Sequence, residues 1–142
     1  MVVRQSSAVW EGNLKQGRGR MKLASGAYEG PYTYLSRFEQ GAGTNPEELI
    51  GAAHAGCFSM YFASSLSQKG YVPKSVNTTA AVTLDTVGGG PKITGIQLRT
   101  EVDVPGIDDK LFQEIAEYSK ANCPVSVALA ATPITLEAKL RR

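Results

Sequence analysis

Cysteine is scarce in this chain, with Cys57 and Cys123 as the two examples, and histidine (His54) and tryptophan (Trp10) occur once each. One histidine and two distant cysteines lack the ligand spacing of a zinc site, so no metal centre is expected. Charge of one sign is also lacking. The net charge is +2, and the densest basic group is Arg18, Arg20 and Lys22, too thin a patch for a nucleic-acid footprint. No stretch approaches the roughly 18 consecutive apolar residues of a membrane span, so no membrane partner is expected. The opening Met-Val-Val-Arg-Gln-Ser-Ser carries no apolar run followed by a small-residue cleavage site, which argues against a secretory signal and for a cytoplasmic protein. The Gly88–Gly90 run has no following Gly-Lys-Ser/Thr and reads as a turn, not a phosphate loop.

What is present fits a single domain over residues 1–142, long enough to bury about 68–70% of the surface its unfolded form exposes. Such a chain needs no disulfide to stay folded. In a reducing compartment its two thiols are more often catalytic, sensing or metal-binding than structural.

Punctuation along the chain predicts an α+β order. Short β-like runs come first, at Ala8–Glu11, Arg20–Leu23 and Tyr32–Leu35, each next to glycine-containing turns. A long helix follows. Asn45 is its N-cap, Pro46 its first residue, Glu47 and Glu48 lie in the positively polarised first turn, and Gly70 supplies the stop. The middle of this helix, from Ile50 to Ala63, offers hardly any charged face, as expected of a helix covered on all sides. A chain this small cannot readily enclose it alone, so a second subunit is expected to cover part of it. Val76–Val87 and Lys92–Val104 flank Gly88-Gly-Gly-Pro91 as a hairpin, with a change of side-chain parity at Gly95 that predicts a β-bulge. Leu111, Phe112, Ile115 and Ala116 mark one face of an amphipathic helix reaching about Ala121. Pro124 then starts a short helix, and Pro133–Leu140 closes the chain as a strand.

The chemistry centres on the thiols, each of which has a plain alternative. Cys57 lies in the middle of the apolar helix, where a free cysteine ordinarily acts as a small core hydrophobe. To react it must be a thiolate, yet burial raises a thiol's pKa and the helix start is too far away to help. A cation is therefore required, and Arg37, Arg18 and Arg20 are the candidates. Glu47 and Glu48 stabilise the helix start, and one of them can also orient an arginine by a bidentate pair. Glu47 precedes Cys57 by ten residues, about 15 Å along a straight helix, so the two side chains do not meet within it. Either an arginine bridges them or the glutamate comes from a neighbouring subunit. Cys123, before Pro124, falls at the N-cap of the short helix, where backbone N–H groups favour a thiolate; its alternative is again packing. His54, three residues before Cys57, shares its helical face and could form a Cys/His nucleophile pair, or could be a satisfied core histidine.

Five segments carry a family resemblance: Trp10-Glu-Gly12, Ser36-Arg-Phe-Glu39, Thr44 to Met60, Val104-Pro-Gly-Ile-Asp108 and Asn122-Cys-Pro-Val-Ser126. Together they span nearly the whole chain, and it resembles the osmotically inducible protein C (OsmC) and organic hydroperoxide resistance (Ohr) family, on the OsmC branch. The Asn-Pro-Glu-Glu-Leu block before the first cysteine and the downstream Cys-Pro-Val-Ser are its most specific parts.

The resemblance implies an intertwined α+β homodimer, with antiparallel sheets wrapping a central helix pair. It also implies a thiol-dependent peroxidase that reduces organic hydroperoxides to alcohols under oxidative or osmotic stress. Cys57 matches the peroxide-attacking cysteine, Cys123 the resolving one, and Glu47 the carboxylate that holds an arginine. That arginine matches Arg37 on the OsmC branch, whereas the Ohr branch draws it from nearer the N-terminus, which keeps Arg18 and Arg20 as candidates. The implied reductant is a dithiol such as a dihydrolipoyl protein, and no metal, haem or flavin is required. Two rival readings stand beside this one: a Cys/His hydrolase using Cys57 and His54, and a non-catalytic dimer that binds an apolar ligand.

Overall fold

A computed structural model describes residues 1–141, which form two compact units, residues 1–49 and residues 50 onward. In the first unit, β1 (Ser6–Glu11), β2 (Arg18–Leu23) and β3 (Glu29–Tyr32) make an antiparallel sheet in that order. Gly19 pairs across from both Trp10 and Tyr32, whose rings lie 5.3 Å apart. A Cβ at Gly19 would meet the Tyr32 ring at 2.5 Å and the Trp10 ring at 2.7 Å, so the aromatic pair requires glycine between its members.

The expected strand Tyr32–Leu35 is corrected. The strand ends at Tyr32 and a short helix, α1 (Tyr34–Phe38), replaces its second half. β propensity favoured Tyr-Thr-Tyr-Leu, but local capping decides. Thr33 Oγ1 accepts from the Ser36 N–H and Ser36 Oγ accepts from the Thr33 N–H, a reciprocal box that satisfies two helix-start donors.

Helix α2 (Pro46–Gln68) begins as its sequence predicts, with Asn45 Oδ1 accepting from the Glu48 N–H at 2.7 Å, and Gly70 (φ 91°) supplies the turn after it. It is not covered on all sides. Gly51, His54, Phe58, Phe62 and Leu66 form a buried stripe at three- and four-residue spacing, while Ala52, Ala53, Gly56 and Met60 are exposed, Met60 to 78%. A second expectation is corrected here, because α2 is long and apolar enough, by length and composition, to cross a membrane. Alanine, glycine and serine, which read as small rather than apolar, fill out its 23 residues. Its polar groups nevertheless face partners in protein. His54 bonds Ser126, and Ser59 donates to Thr78 Oγ1 at 2.7 Å, the pattern of a core helix.

In the second unit β4 (Ser75–Val87) and β5 (Gly90–Asp103) form the predicted hairpin, with Gly88 and Gly89 both at positive φ in its tight turn. The register shifts between Thr83 and Leu84, opposite Gly95 and Ile93, leaving Thr94 as the extra residue of a bulge beside Gly95. α3 (Asp109–Asn122) and α4 (Pro124–Ala128) follow. β6 (Ile134–Arg141) then pairs with β5 in parallel, so this sheet, in order β4-β5-β6, is mixed.

One face of this sheet, Ile96, Leu98, Thr100 and Val102 on β5 with their neighbours, is buried, and the residues between them are exposed. Phe58, Phe62 and Leu66 of α2 and Phe112, Ile115 and Ala116 of α3 complete the core with them. The Phe62 ring lies 5.5 Å from Phe58 and 5.3 Å from Phe112.

Candidate active site

The two thiols, far apart in sequence, come together in the second unit. Cys123 caps both helices at the α3–α4 junction. Its N–H donates to the Ser119 carbonyl to end α3, and its sulfur accepts from the Ser126 N–H at 3.4 Å to start α4. Pro124 fixes the first position of α4 and has no N–H to satisfy. Helix α2 carries Cys57 to this junction, where its thiol packs against the core that holds Cys123 and feels both the Cys123 thiol and the Val125 N–H. Both cysteines are free, Cys57 partly exposed and Cys123 fully buried.

Burial pushes the Cys57 thiol up, the Val125 N–H pulls it down, and the neighbouring Cys123 thiol pushes it up again, for a net rise above the ordinary thiol value. The Val125 contribution was not foreseen; the sequence had suggested backbone N–H groups for Cys123 alone. In one chain, therefore, burial works against ionisation of Cys57, the direction a nearby cation would oppose.

Arg37 and Glu47 meet in the first unit. Arg37 Nε and Nη2 donate to the two carboxylate oxygens of Glu47 at 3.0 Å each, a bidentate pair with Glu47 almost fully buried. The Arg37 guanidinium also lies 5.3 Å over the Phe38 ring. α1 presents Arg37, and the first turn of α2 presents Glu47. Ser36 and Asn45 tie the segments together, because Asn45 Nδ2 donates to the Ser36 carbonyl and Ser36 Oγ to the Thr44 carbonyl. Arg18 and Arg20 sit on the exposed first sheet beside Glu11 and Glu29, at 3.8 Å and 2.9 Å. The fixed, half-buried guanidinium is therefore Arg37. Glu48 accepts from the Thr44 hydroxyl at 2.7 Å and has no arginine partner among the described residues.

His54 does not pair with Cys57. Its Nε2 is 2.7 Å from Ser126 Oγ, which in turn accepts from the Cys123 thiol at 3.1 Å. Burial lowers the His54 pKa, so the ring is neutral. Its Nδ1 has no hydrogen-bond partner among the described residues, at a cost of about 1–3 kcal/mol for a buried polar atom. Ser126 is the participant that sequence reasoning missed. Its signals were its place three residues after a capping cysteine and in the Cys-Pro-Val-Ser segment, and nothing local announces a bond to a histidine 72 residues away.

The profile of the OsmC-like protein family matches residues 39–139. The chain is 49% identical over 141 residues to Peroxiredoxin OsmC of Escherichia coli, covering 99% of this chain and 98% of that protein. It is 33% identical over 89 residues to an organic hydroperoxide resistance protein of Xanthomonas axonopodis pv. citri, covering 62% of this chain and 61% of that one. Among solved structures, an OsmC-like protein of unknown function from Vibrio cholerae superposes with a TM-score of 0.76 at 17% identity, over 97% of this chain and 99% of that chain. The chain belongs to the OsmC-like protein family.

Proposed function

We propose that this protein is a thiol-dependent peroxidase that reduces organic hydroperoxides to alcohols. The observation that carries the proposal is that the Cys57 and Cys123 thiols, distant in sequence, are neighbours in the core of the second unit. The Cys57 thiolate attacks the terminal peroxide oxygen, the O–O bond breaks, the alcohol leaves, and Cys57 becomes a sulfenic acid. Cys123 attacks that sulfur, water departs, and a Cys57–Cys123 disulfide forms. An external dithiol, of the dihydrolipoyl type, restores both thiols by exchange.

Arg37, held in a fixed orientation by Glu47, keeps Cys57 ionised and stabilises charge on the departing alkoxide. The working form is a cytoplasmic homodimer in which the two units act as a single domain and the Arg37–Glu47 pair is supplied across the subunit interface. Three features support the dimer: the exposed Ala52, Ala53, Gly56 and Met60 of α2, a first sheet with little buried surface, and a Cys57 thiol whose ionisation burial opposes in the single chain. Similarity to an organic hydroperoxide resistance protein supports an alkyl hydroperoxide as substrate over hydrogen peroxide.

Consumption of cumene hydroperoxide with a dithiol, compared among wild type, Cys57→Ser and Cys123→Ser, tests the reading. Both variants are expected to lose turnover. Full turnover in Cys57→Ser would refute it, and retention in Cys123→Ser together with loss in His54→Ala would favour the hydrolase-type site instead.

A further inference from the structure

The resolving step must dispose of a proton, because Cys123 enters it as a thiol inside the core. Three buried groups stand in line at that point. The Cys123 thiol donates to Ser126 Oγ at 3.1 Å, and Ser126 Oγ is 2.7 Å from His54 Nε2. His54 and Cys123 are 0% exposed and Ser126 3%, so bulk water does not reach any of the three in this chain. The line has a direction in the tautomer whose Nε2 is unprotonated. Ser126 Oγ accepts from the thiol and has one proton of its own to donate, and His54 Nε2 is the acceptor placed to receive it. That arrangement puts the ring proton on Nδ1, the nitrogen without a partner among the described residues.

We infer that Ser126 and His54 form a buried proton relay for Cys123, with Ser126 touching the reacting sulfur and His54 acting through it as the positioning and accepting group. The inference rests on Cys123 being the resolving thiol. In the step, the Cys123 S–H bond breaks, its proton passes to Ser126 Oγ, and the serine's own proton passes to His54 Nε2. The freed electron pair on Cys123 forms the S–S bond to Cys57. The Cys57 S–O bond breaks, hydroxide departs, and the proton passes back from His54 through Ser126 Oγ to leave as water. One sulfur is reduced and the other oxidised, so no outside oxidant or reductant enters. The neutral ring, kept so by burial, is the state in which Nε2 can accept. His54 and Ser126 are thus assigned to the second half-reaction, and the hydroperoxide-attacking thiol keeps its own activation.

Stopped-flow oxidation of the full chain with cumene hydroperoxide separates the steps. Sulfenic acid on Cys57 is trapped with a dimedone probe, and disulfide is followed by rapid acid quench and mass spectrometry. Ser126→Ala and His54→Gln are each expected to form sulfenic acid within about twofold of wild type and to close the disulfide at least about tenfold more slowly. Because the two residues act as a unit, the double variant is expected to close no more slowly than the slower single one. Unchanged closure in either single variant, losses that multiply in the double variant, or equal slowing of both steps would overturn the relay. If His54→Gln does not fold, Ser126→Ala, which removes a single buried oxygen, decides by the split between the two steps. A wild-type protein that forms sulfenic acid but no Cys57–Cys123 disulfide would instead overturn the assignment of Cys123 on which the relay stands.

Discussion

The two compact units differ in what holds them together. Every large buried hydrophobic side chain lies at or beyond Phe58. In the first unit the buried residues are Gly19, Gly30, Ser36, Thr44 and Glu47, so hydrogen bonds and the partly buried Arg37–Glu47 ion pair do the work that a packed core does in the second. Its sheet exposes Val9 to 61% and leaves β1 open along its length. Three strands without a buried face are marginal in water. The second unit has a core of its own and carries both thiols; the first carries the Arg37–Glu47 pair. The contrast teaches that apolar packing is concentrated in the second unit, while the first is held by polar contacts and a paired sheet.

The largest effect expected falls on the second unit. Cys57→Ser should reduce hydroperoxide turnover to less than about one-thousandth of wild type, the scale of losing a covalent nucleophile, measured by peroxide consumption. If the first unit supplies activation, Arg37→Met should lower kcat/KM by about 10²–10³-fold while leaving the fold's circular dichroism intact. The same variant should move the pH dependence of Cys57 alkylation. Burial raises this thiol, so without the cation its reaction with iodoacetamide should climb only at alkaline pH, whereas wild type should reach its plateau at lower pH.

Stability should divide the units in the same way. Phe62→Ala, in the packed aromatic cluster, should cost about 3–5 kcal/mol by denaturant unfolding. Val9→Ala should cost less than about 0.5 kcal/mol at dilutions where the chain is monomeric and more where it is dimeric, a concentration dependence that sharpens the contrast. The smallest effect is a matter of pH. The folded His54 pKa lies below the ordinary 6.5. As pH falls through that value the unfolded chain takes a proton the folded one refuses, so stability present above pH 6.5 is lost on acidification through the folded pKa. His54→Gln should flatten that slope in the melting temperature.

Features set by local chemistry could be read from the sequence. Asn45, Pro46 and the two glutamates marked the start of α2, Gly88 and Gly89 the hairpin turn, and the Cys123–Pro124 pair the cap of α4. The α1 helix was misread because Tyr32–Leu35 has strand propensity and the Thr33–Ser36 capping box overrides it. The parallel pairing of β6 with β5 and the bond from Ser126 to His54 depend on contacts distant in sequence, which no local pattern encodes. Of the candidate residues, the sequence could nominate Arg37, Glu47, Cys57 and Cys123. The choice of Arg37 over Arg18 and Arg20 as the partner of Glu47 needed the fold.

Redox pairing of the two thiols is the claim on which the mechanism depends. Treating the reduced protein with one equivalent of cumene hydroperoxide and mapping its peptides by mass spectrometry measures it directly. The account predicts that the peptides containing Cys57 and Cys123 become joined with the loss of two hydrogens, and that both free thiols vanish together. Peroxide that leaves both thiols free, or oxidises Cys57 without ever joining it to Cys123, would contradict it.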